Sequence, residues 1–296
     1  MTDISPSSWR ILVTGITSIH GWPIFRCLQQ QFRPDQLYGI RPPQSSYPAD
    51  SNCEAACVTD CSVFTRIQKA FAPTHVIHAA GVCDLDVCEQ NPQRAYAING
   101  IGTKNIVDVF GATSYIMYLS ADLVFSGIHP PKNGYSEHDE PCPVSVVGKT
   151  YLAAEREMQN ASSGAIVRIG LPMGDSIQRE KGAIDFIENR FKRNLPMTLF
   201  YDELRSCLDC DELADIIVLL LRKQEQGLFH CGGPKPVSLY DIGEWLINRG
   251  DYNPHLLKRC SRCDDINGPP RIGNVHLNSG KLEALLKKTI QPWPRV

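Results

Sequence analysis

The tightest constraint on this chain lies between Arg10 and Gly21, in the run Arg-Ile-Leu-Val-Thr-Gly-Ile-Thr-Ser-Ile-His-Gly. A short apolar run, Ile11 to Val13, is closed by Thr14-Gly15, and Gly21 then opens the apolar-periodic segment Trp22 to Leu28. That order predicts strand, turn and helix. Gly15 lets the chain turn sharply off the strand, the N–H groups of Ile16, Thr17, Ser18, Ile19 and His20 can face a pyrophosphate, and Gly21 lets the helix pack close to the sheet. Ser18 stands where the fingerprint has its middle glycine; its small hydroxyl can sit beside a phosphate but adds a side chain where backbone should approach. An ordinary tight strand-to-helix connection has the same pattern, so the rest of the chain must decide.

The remainder alternates short apolar runs with helical periodicity. Strands are predicted at 36–41, 55–59, 74–79, 115–119, 164–169 and 227–231, and helices at 61–71, capped by Asp60, and 92–110. Further helices are predicted at 183–191, 212–221, 241–248 and 280–287, with a short extended piece at 195–200 and a Pro- and Ser-rich loop at 42–51. Strands joined by helical crossovers require a parallel sheet covered on both faces. The expected class is therefore α/β, a Rossmann-type doubly wound parallel sheet with a smaller C-terminal α/β lobe. Its ligand should lie beyond the strand C-termini, where Gly15, Arg41, Asp60, Ala79 and Ser120 fall.

The 30 basic and 32 acidic residues among 296 give a net charge of −2, which offers no global field for nucleic acid or an anionic membrane. No stretch approaches membrane-spanning length and the N-terminus lacks a signal-like apolar core, so a cytoplasmic protein is expected. Twelve cysteines are then expected as thiols. Cys207-Leu-Asp-Cys210 and Cys260-Ser-Arg-Cys263 have metal-ligand spacing, but too long a segment separates them for a zinc ribbon, and no metal site is expected.

Six segments together resemble one family. They are Val-Thr-Gly-Ile-Thr-Ser-Ile-His-Gly at the turn, Val-Ile-His-Ala-Ala-Gly at 76–81, Cys-Glu-Gln-Asn-Pro at 88–92, Ala-Tyr-Ala-Ile-Asn at 95–99, Leu-Ser-Ala-Asp-Leu-Val-Phe-Ser-Gly at 119–127, and Gly-Lys-Thr-Tyr-Leu-Ala-Ala-Glu at 148–155. Nearly end to end, the chain resembles the extended short-chain dehydrogenase/reductases, and within them the dTDP-4-dehydrorhamnose reductase group, which also includes the regulatory beta subunit of methionine adenosyltransferase. The resemblance implies an NADP-binding Rossmann domain over residues 1–163, to which 164–170 and 211–232 return, and a mainly substrate-binding lobe over 171–296. It implies that Gly15, Ser18 and Gly21 hold the pyrophosphate, that Asp60 and Cys61 face the adenine, that Ala79, Ala80 and Gly81 pass along the cofactor, and that Asn99 supports the helix behind it. Arg41 favours NADP over NAD, because an Arg at that strand end can neutralise a 2′-phosphate, helped by Ser45 or Ser46; the alternative is a solvated loop residue. Asp122 and Arg205 fall at substrate-gripping positions for a nucleotide-sugar diphosphate.

The resemblance fails at the chemistry. The family uses Tyr as acid/base, Lys four residues later to hold the nicotinamide ribose, and Ser or Thr to polarise the carbonyl; this chain has Val147, Tyr151 and Ala121 there. Lys149 is two residues from Val147 and so points elsewhere on the helix. Tyr135, His138 and Cys142 precede that helix in a polar loop and are the candidate substitutes. Two functions follow: a non-catalytic member with a regulatory or scaffolding role toward a protein partner or a second copy of itself, or an NADP-dependent nucleotide-sugar reductase or epimerase with a relocated acid/base.

Overall fold

The computed structural model describes residues 8–45, 52–177 and 182–294. In chain order the main elements are β1 (Ile11–Thr14), α1 (Gly21–Gln29), β2 (Leu37–Arg41), β3 (Cys53–Ala55), α2 (Cys61–Ala70), β4 (His75–His78), α3 (Leu85–Gln90), α4 (Pro92–Tyr96), α5 (Gly102–Phe110), β5 (Tyr115–Ala121), α6 (Val146–Met158) and β6 (Gly164–Ile169). They continue with β7 (Pro172–Met173), α7 (Ala183–Lys192), β8 (Met197–Phe200), β9 (Leu204–Ser206), β10 (Leu208–Asp209), α8 (Cys210–Lys223), β11 (Gly227–Cys231), β12 (Pro236–Ser238), α9 (Leu239–Gly250), β13 (Leu257–Cys260) and α10 (Gly280–Leu286).

Seven strands form one sheet in the order β11-β6-β5-β4-β1-β2-β3, every pair parallel, which is the doubly wound architecture expected from the alternating pattern. Helix α1 packs with α8 over one face, where Ile24, Phe25 and Leu28 meet Leu213, Ile217 and Leu221 in a continuous apolar core. On the other face α2, α5 and α6 contribute Phe64, Ile67, Ile106, Phe110, Ala154 and Met158. A third core, built on Ile187 and Phe191 of α7, Leu199 of β8, and Ile242 and Leu246 of α9, holds the smaller lobe together. Among the described residues no helix is long and apolar enough to cross a membrane.

Two elements differ from expectation for physical reasons that bear on the site. The third strand ends at Ala55, not Thr59: Ala56 N–H still reaches Arg41 O at 2.9 Å, but the chain then turns, with Asp60 N–H bonded to Cys57 O. Ala56 and Val58 are apolar because they are buried beside the sheet, not because they extend it. The helix expected over 92–110 is interrupted by a π turn at Ala97–Ile101, an irregularity that helical periodicity cannot reveal and that often accompanies functional sites. The Pro- and Ser-rich loop, with Ser46, lies largely outside the described residues.

Candidate functional site

A cleft of about 680 Å³ runs along the C-terminal ends of β1, β2, β4 and β5 and is closed on the far side by the start of α7 and the segment after β6. Its size suits a small-molecule ligand. Gly15 has φ +70°, and a Cβ there would lie 2.6 Å from the backbone N and Cα of Ala80, so only glycine permits this contact between turn and cleft floor. A Cβ on Gly21 would run into Gly15 O. Ser18 lines the cleft, but its Oγ accepts the N–H of Gly21 at 2.9 Å, so the hydroxyl is turned back to cap the helix start.

Three polar atoms around this turn are buried and have no partner among the described residues: Thr17 Oγ1, His20 Nδ1 and Arg41 Nε. All three residues line the cleft, as does Ile19. His20 Nε2 lies 3.2 Å from Ala79 O and therefore carries the ring proton, leaving Nδ1 as an acceptor. Burial lowers the His20 pKa to about 4. Arg41 donates from Nη1 to Ser45 O at 2.8 Å, which orients the guanidinium toward the cleft wall formed by Pro42, Pro43 and Gln44. Unengaged donors beside a helix start are what a phosphate-bearing ligand would need, and this end of the site fits one.

The floor is held by two buried networks. Asn99 donates from Nδ2 to Val82 O at 2.9 Å and to Thr150 Oγ1 at 2.8 Å, and accepts Val82 N–H on Oδ1 at 2.8 Å, which ties the floor to α6 through the π turn. A directed chain crosses the sheet: Ala80 N–H donates to Thr14 Oγ1, Thr14 to His78 Nδ1 at 2.6 Å, His78 Nε2–H to Thr103 Oγ1 at 3.1 Å, and Thr103 to Asn99 O at 2.6 Å. Because Thr103 gives its proton to a carbonyl, it must accept from His78, which fixes the imidazole as the neutral Nε2–H form. Burial lowers the His78 pKa to about 3.

Several residues stand elsewhere than the sequence leads one to expect. Ala80 and Gly81 line the cleft, whereas Ala79 is in the core and contributes its carbonyl to His20. Asp60 caps α2 by accepting Ser62 N–H at 3.0 Å, and neither it nor Cys61 lines the cleft; Ala56, Cys57 and Val58 do. The earlier end of β3 causes this shift, and the rule that ligands lie just past strand ends points to these three residues once the strand is ended correctly. Arg94 and Ile98 on the α4 side, and Gly182, Ala183 and Phe186 at the start of α7, also line the cleft, and of these Ile98 alone falls in one of the quoted segments.

At the other end stand the positions that the resemblance matches to the family's chemistry. Ala121 and Tyr151 line the cleft. Val147 is fully buried in the first turn of α6 within the core, and Lys149 is exposed. A Cβ on Gly81 would lie 2.9 Å from Tyr151 Oη, so the phenol stands against the floor at this end. Burial holds the Tyr151 pKa well above 10, so the group is a neutral phenol at physiological pH. Ser120 also borders the cleft, but its hydroxyl is engaged, donating to Glu155 Oε1 at 2.5 Å. Glu155 in turn pairs with Arg168 through two bonds of 2.9 and 2.7 Å, and Arg168 lies over the Phe125 ring. None of the candidate substitutes lines the cleft: Tyr135 is buried and stacked on Phe125 with ring centroids 4.1 Å apart, while His138 and Cys142 are exposed elsewhere. Asp122 and Arg205 are brought together, Arg205 donating from Nε at 2.8 Å and from Nη2 to the second carboxylate oxygen, with Arg205 lining the cleft. Burial pushes the Asp122 carboxyl up, and Arg205 opposes that shift. Among the described residues no group of three or more His, Cys, Asp or Glu side chains is placed to hold a metal, and Cys207 and Cys210 are buried.

Comparison with known proteins agrees with this fold. The beta subunit of methionine adenosyltransferase 2 from Xenopus laevis is 24% identical over 291 residues, covering 96% of this chain and 84% of that protein. The crystal structure of a hypothetical dTDP-4-dehydrorhamnose reductase from Sulfolobus tokodaii is similar with a TM-score of 0.80 at 22% identity, covering 95% of this chain and 96% of the other. That of the Bacillus anthracis dTDP-4-dehydrorhamnose reductase in complex with NADP has a TM-score of 0.78 at 19% identity, with 96% and 94% covered. The model of the RmlD substrate binding domain family matches residues 9–295, and the chain belongs to that family.

Proposed function

We propose that this chain is a non-catalytic member of its family that binds a nicotinamide dinucleotide, NADP in preference to NAD, and acts in the cytoplasm as a regulatory or scaffolding subunit for a protein partner or a second copy of itself. The dinucleotide would lie with its pyrophosphate at the Gly15–Gly21 turn, its adenosine half toward Arg41 and Cys57, and its nicotinamide half toward Ala121 and Tyr151. The bound cofactor would supply hydride chemistry in an active relative; here the residues beside it hold and orient it.

One observation carries the reading: of the three positions matched to the family's chemistry, Val147 is sealed in the core, and the two that line the cleft are Ala121 and a phenol. Hydride transfer to a carbonyl needs a proton delivered to its oxygen at the same time. Val147 and Ala121 offer none, and the loss of a positioned acid/base alone removes about 100- to 10,000-fold in rate. Tyr151 lacks the neighbouring ammonium that would lower a phenol's pKa toward neutral pH. Tyr135, His138 and Cys142 lie outside the cleft and do not favour a relocated acid/base. The relatives named as the beta subunit of an adenosyltransferase support a subunit role. The test is NADPH oxidation with a panel of 4-keto nucleotide sugars, for the unaltered protein and for the triple change Ala121→Thr, Val147→Tyr, Tyr151→Lys. Silence from the first with turnover by the second is expected; turnover by the unaltered protein would overturn the reading.

A further inference from the structure

We infer that the cleft recognises the 2′-phosphoadenosine diphosphate half of its ligand and is nearly indifferent to the nicotinamide, so that NADP+, NADPH and 2′-phospho-ADP-ribose bind alike. The inference rests on the dinucleotide reading above and specifies what that site reads. It follows from the hydrogen-bonding groups that each end of the cleft can still offer.

At the turn, the Thr17 hydroxyl and Arg41 Nε are buried donors with no partner among the described residues, and His20 Nδ1 is a buried acceptor suited to a ribose hydroxyl. A ligand that supplies phosphate oxygens and a ribose there satisfies groups that are otherwise left unpaired, and that is where binding free energy is gained.

The far end has little of the kind. The segment after β6 forms its wall: Gly170 N–H is given to Cys231 O at 2.9 Å, Leu171 N–H to Ser206 O at 3.1 Å, and Pro172 has no N–H. On the floor, Val82 N–H is committed to Asn99. The Ser120 hydroxyl is held by Glu155, and Arg205 turns Nε and Nη2 to Asp122, which also offsets its charge. Beside Gly81 stands the neutral hydroxyl of Tyr151, where the family's ammonium would offer three charged donors. A carboxamide laid against this wall meets backbone N–H groups that are already used, and burying its oxygen without a donor is unfavourable. Reduction alters only the nicotinamide ring. The contacts at the turn are the same for both forms, and the chain would respond to the amount of phosphorylated dinucleotide, not to its redox state.

Isothermal titration of the full chain with NADP+, NADPH, 2′-phospho-ADP-ribose and NAD+ tests this. The first three should bind within about tenfold of one another, the span that one neutral hydrogen bond can produce. NADP+ or NADPH binding more than about tenfold more tightly than 2′-phospho-ADP-ribose would overturn the inference and leave the dinucleotide reading intact. Failure of all four to bind would remove the reading on which it rests. Tyr151→Lys, which places an ammonium beside Gly81, should tighten NADP+ relative to 2′-phospho-ADP-ribose; a folded variant with an unchanged ratio would contradict the part given to Tyr151.

Discussion

At one end of the cleft Gly15 presses against the backbone of Ala80, and Thr17, His20 and Arg41 hold buried polar atoms with no partner among the described residues. At the other end Val147 is sealed in the core and Ala121 presents a methyl group, yet the layer just behind them is fully built. Ser120, next to Ala121, bonds Glu155, one turn beyond Tyr151, and Glu155 grips Arg168 over the Phe125 ring. The contrast separates two kinds of constraint. Side chains that face the ligand at the far end can change with little effect on folding, whereas a buried charge behind them cannot lose its partner without destabilising the sheet.

The largest effect that could break this contrast is on stability. Changing Arg168→Met alone strands the Glu155 carboxylate in the interior and should destabilise the protein by about 3–5 kcal/mol, with most of that recovered by the double change Glu155→Leu, Arg168→Met. Urea unfolding measures both. A single change that is neutral would mean that the layer behind the far end is as dispensable as the groups in front of it.

How much of this can be read from the sequence follows from the range of the interactions involved. Short apolar runs and the Asp60 cap are local, so the parallel strands and α2 are legible. The end of β3 is set by pairing with β2 and by a turn at Cys57, which apolar Ala56 and Val58 conceal, and the sequence therefore puts this stretch of the cleft wall too late, at Asp60 and Cys61. Asn99 is legible as a supporting residue, but the π turn that lets it reach Val82 and Thr150 is not, because the helical period runs through it unbroken. Asp122 and Arg205 each stand out in the sequence, yet no local pattern tells that residues 83 apart share one buried pair.

A smaller effect tests the chain of bonds beneath the cleft floor. The folded pKa of His78 is lowered to about 3, while in the unfolded chain it returns to 6.5, so on acidification the unfolded state takes up the proton first. The stability contributed by neutral His78 is therefore lost as pH falls below 6.5, by about 2 kcal/mol at about pH 5. His75, lowered to about 4 by burial, adds to the same slope. Urea midpoints between these pH values should fall, and less steeply in His78→Asn; an unchanged slope would mean that His78 is not held neutral.

The smallest expected effect sharpens the ligand end. Arg41→Ala should weaken NADP+ by roughly tenfold, as for loss of one charged hydrogen bond, and leave NAD+ nearly unchanged. Equal weakening of both would make Arg41 a contact to something other than the 2′-phosphate. Tighter binding of NAD+ than NADP+ by the unaltered protein would remove its proposed role.

We propose that the cleft holds the cofactor and lacks the means to use it. Single-turnover absorbance at the nicotinamide band, with protein in excess over NADPH and a saturating 4-keto nucleotide sugar, tests it without relying on product release. Bound NADPH is expected to persist unchanged over a time in which the triple change Ala121→Thr, Val147→Tyr, Tyr151→Lys oxidises it. Oxidation of NADPH by the unaltered protein at a rate comparable to that of the triple change would contradict it.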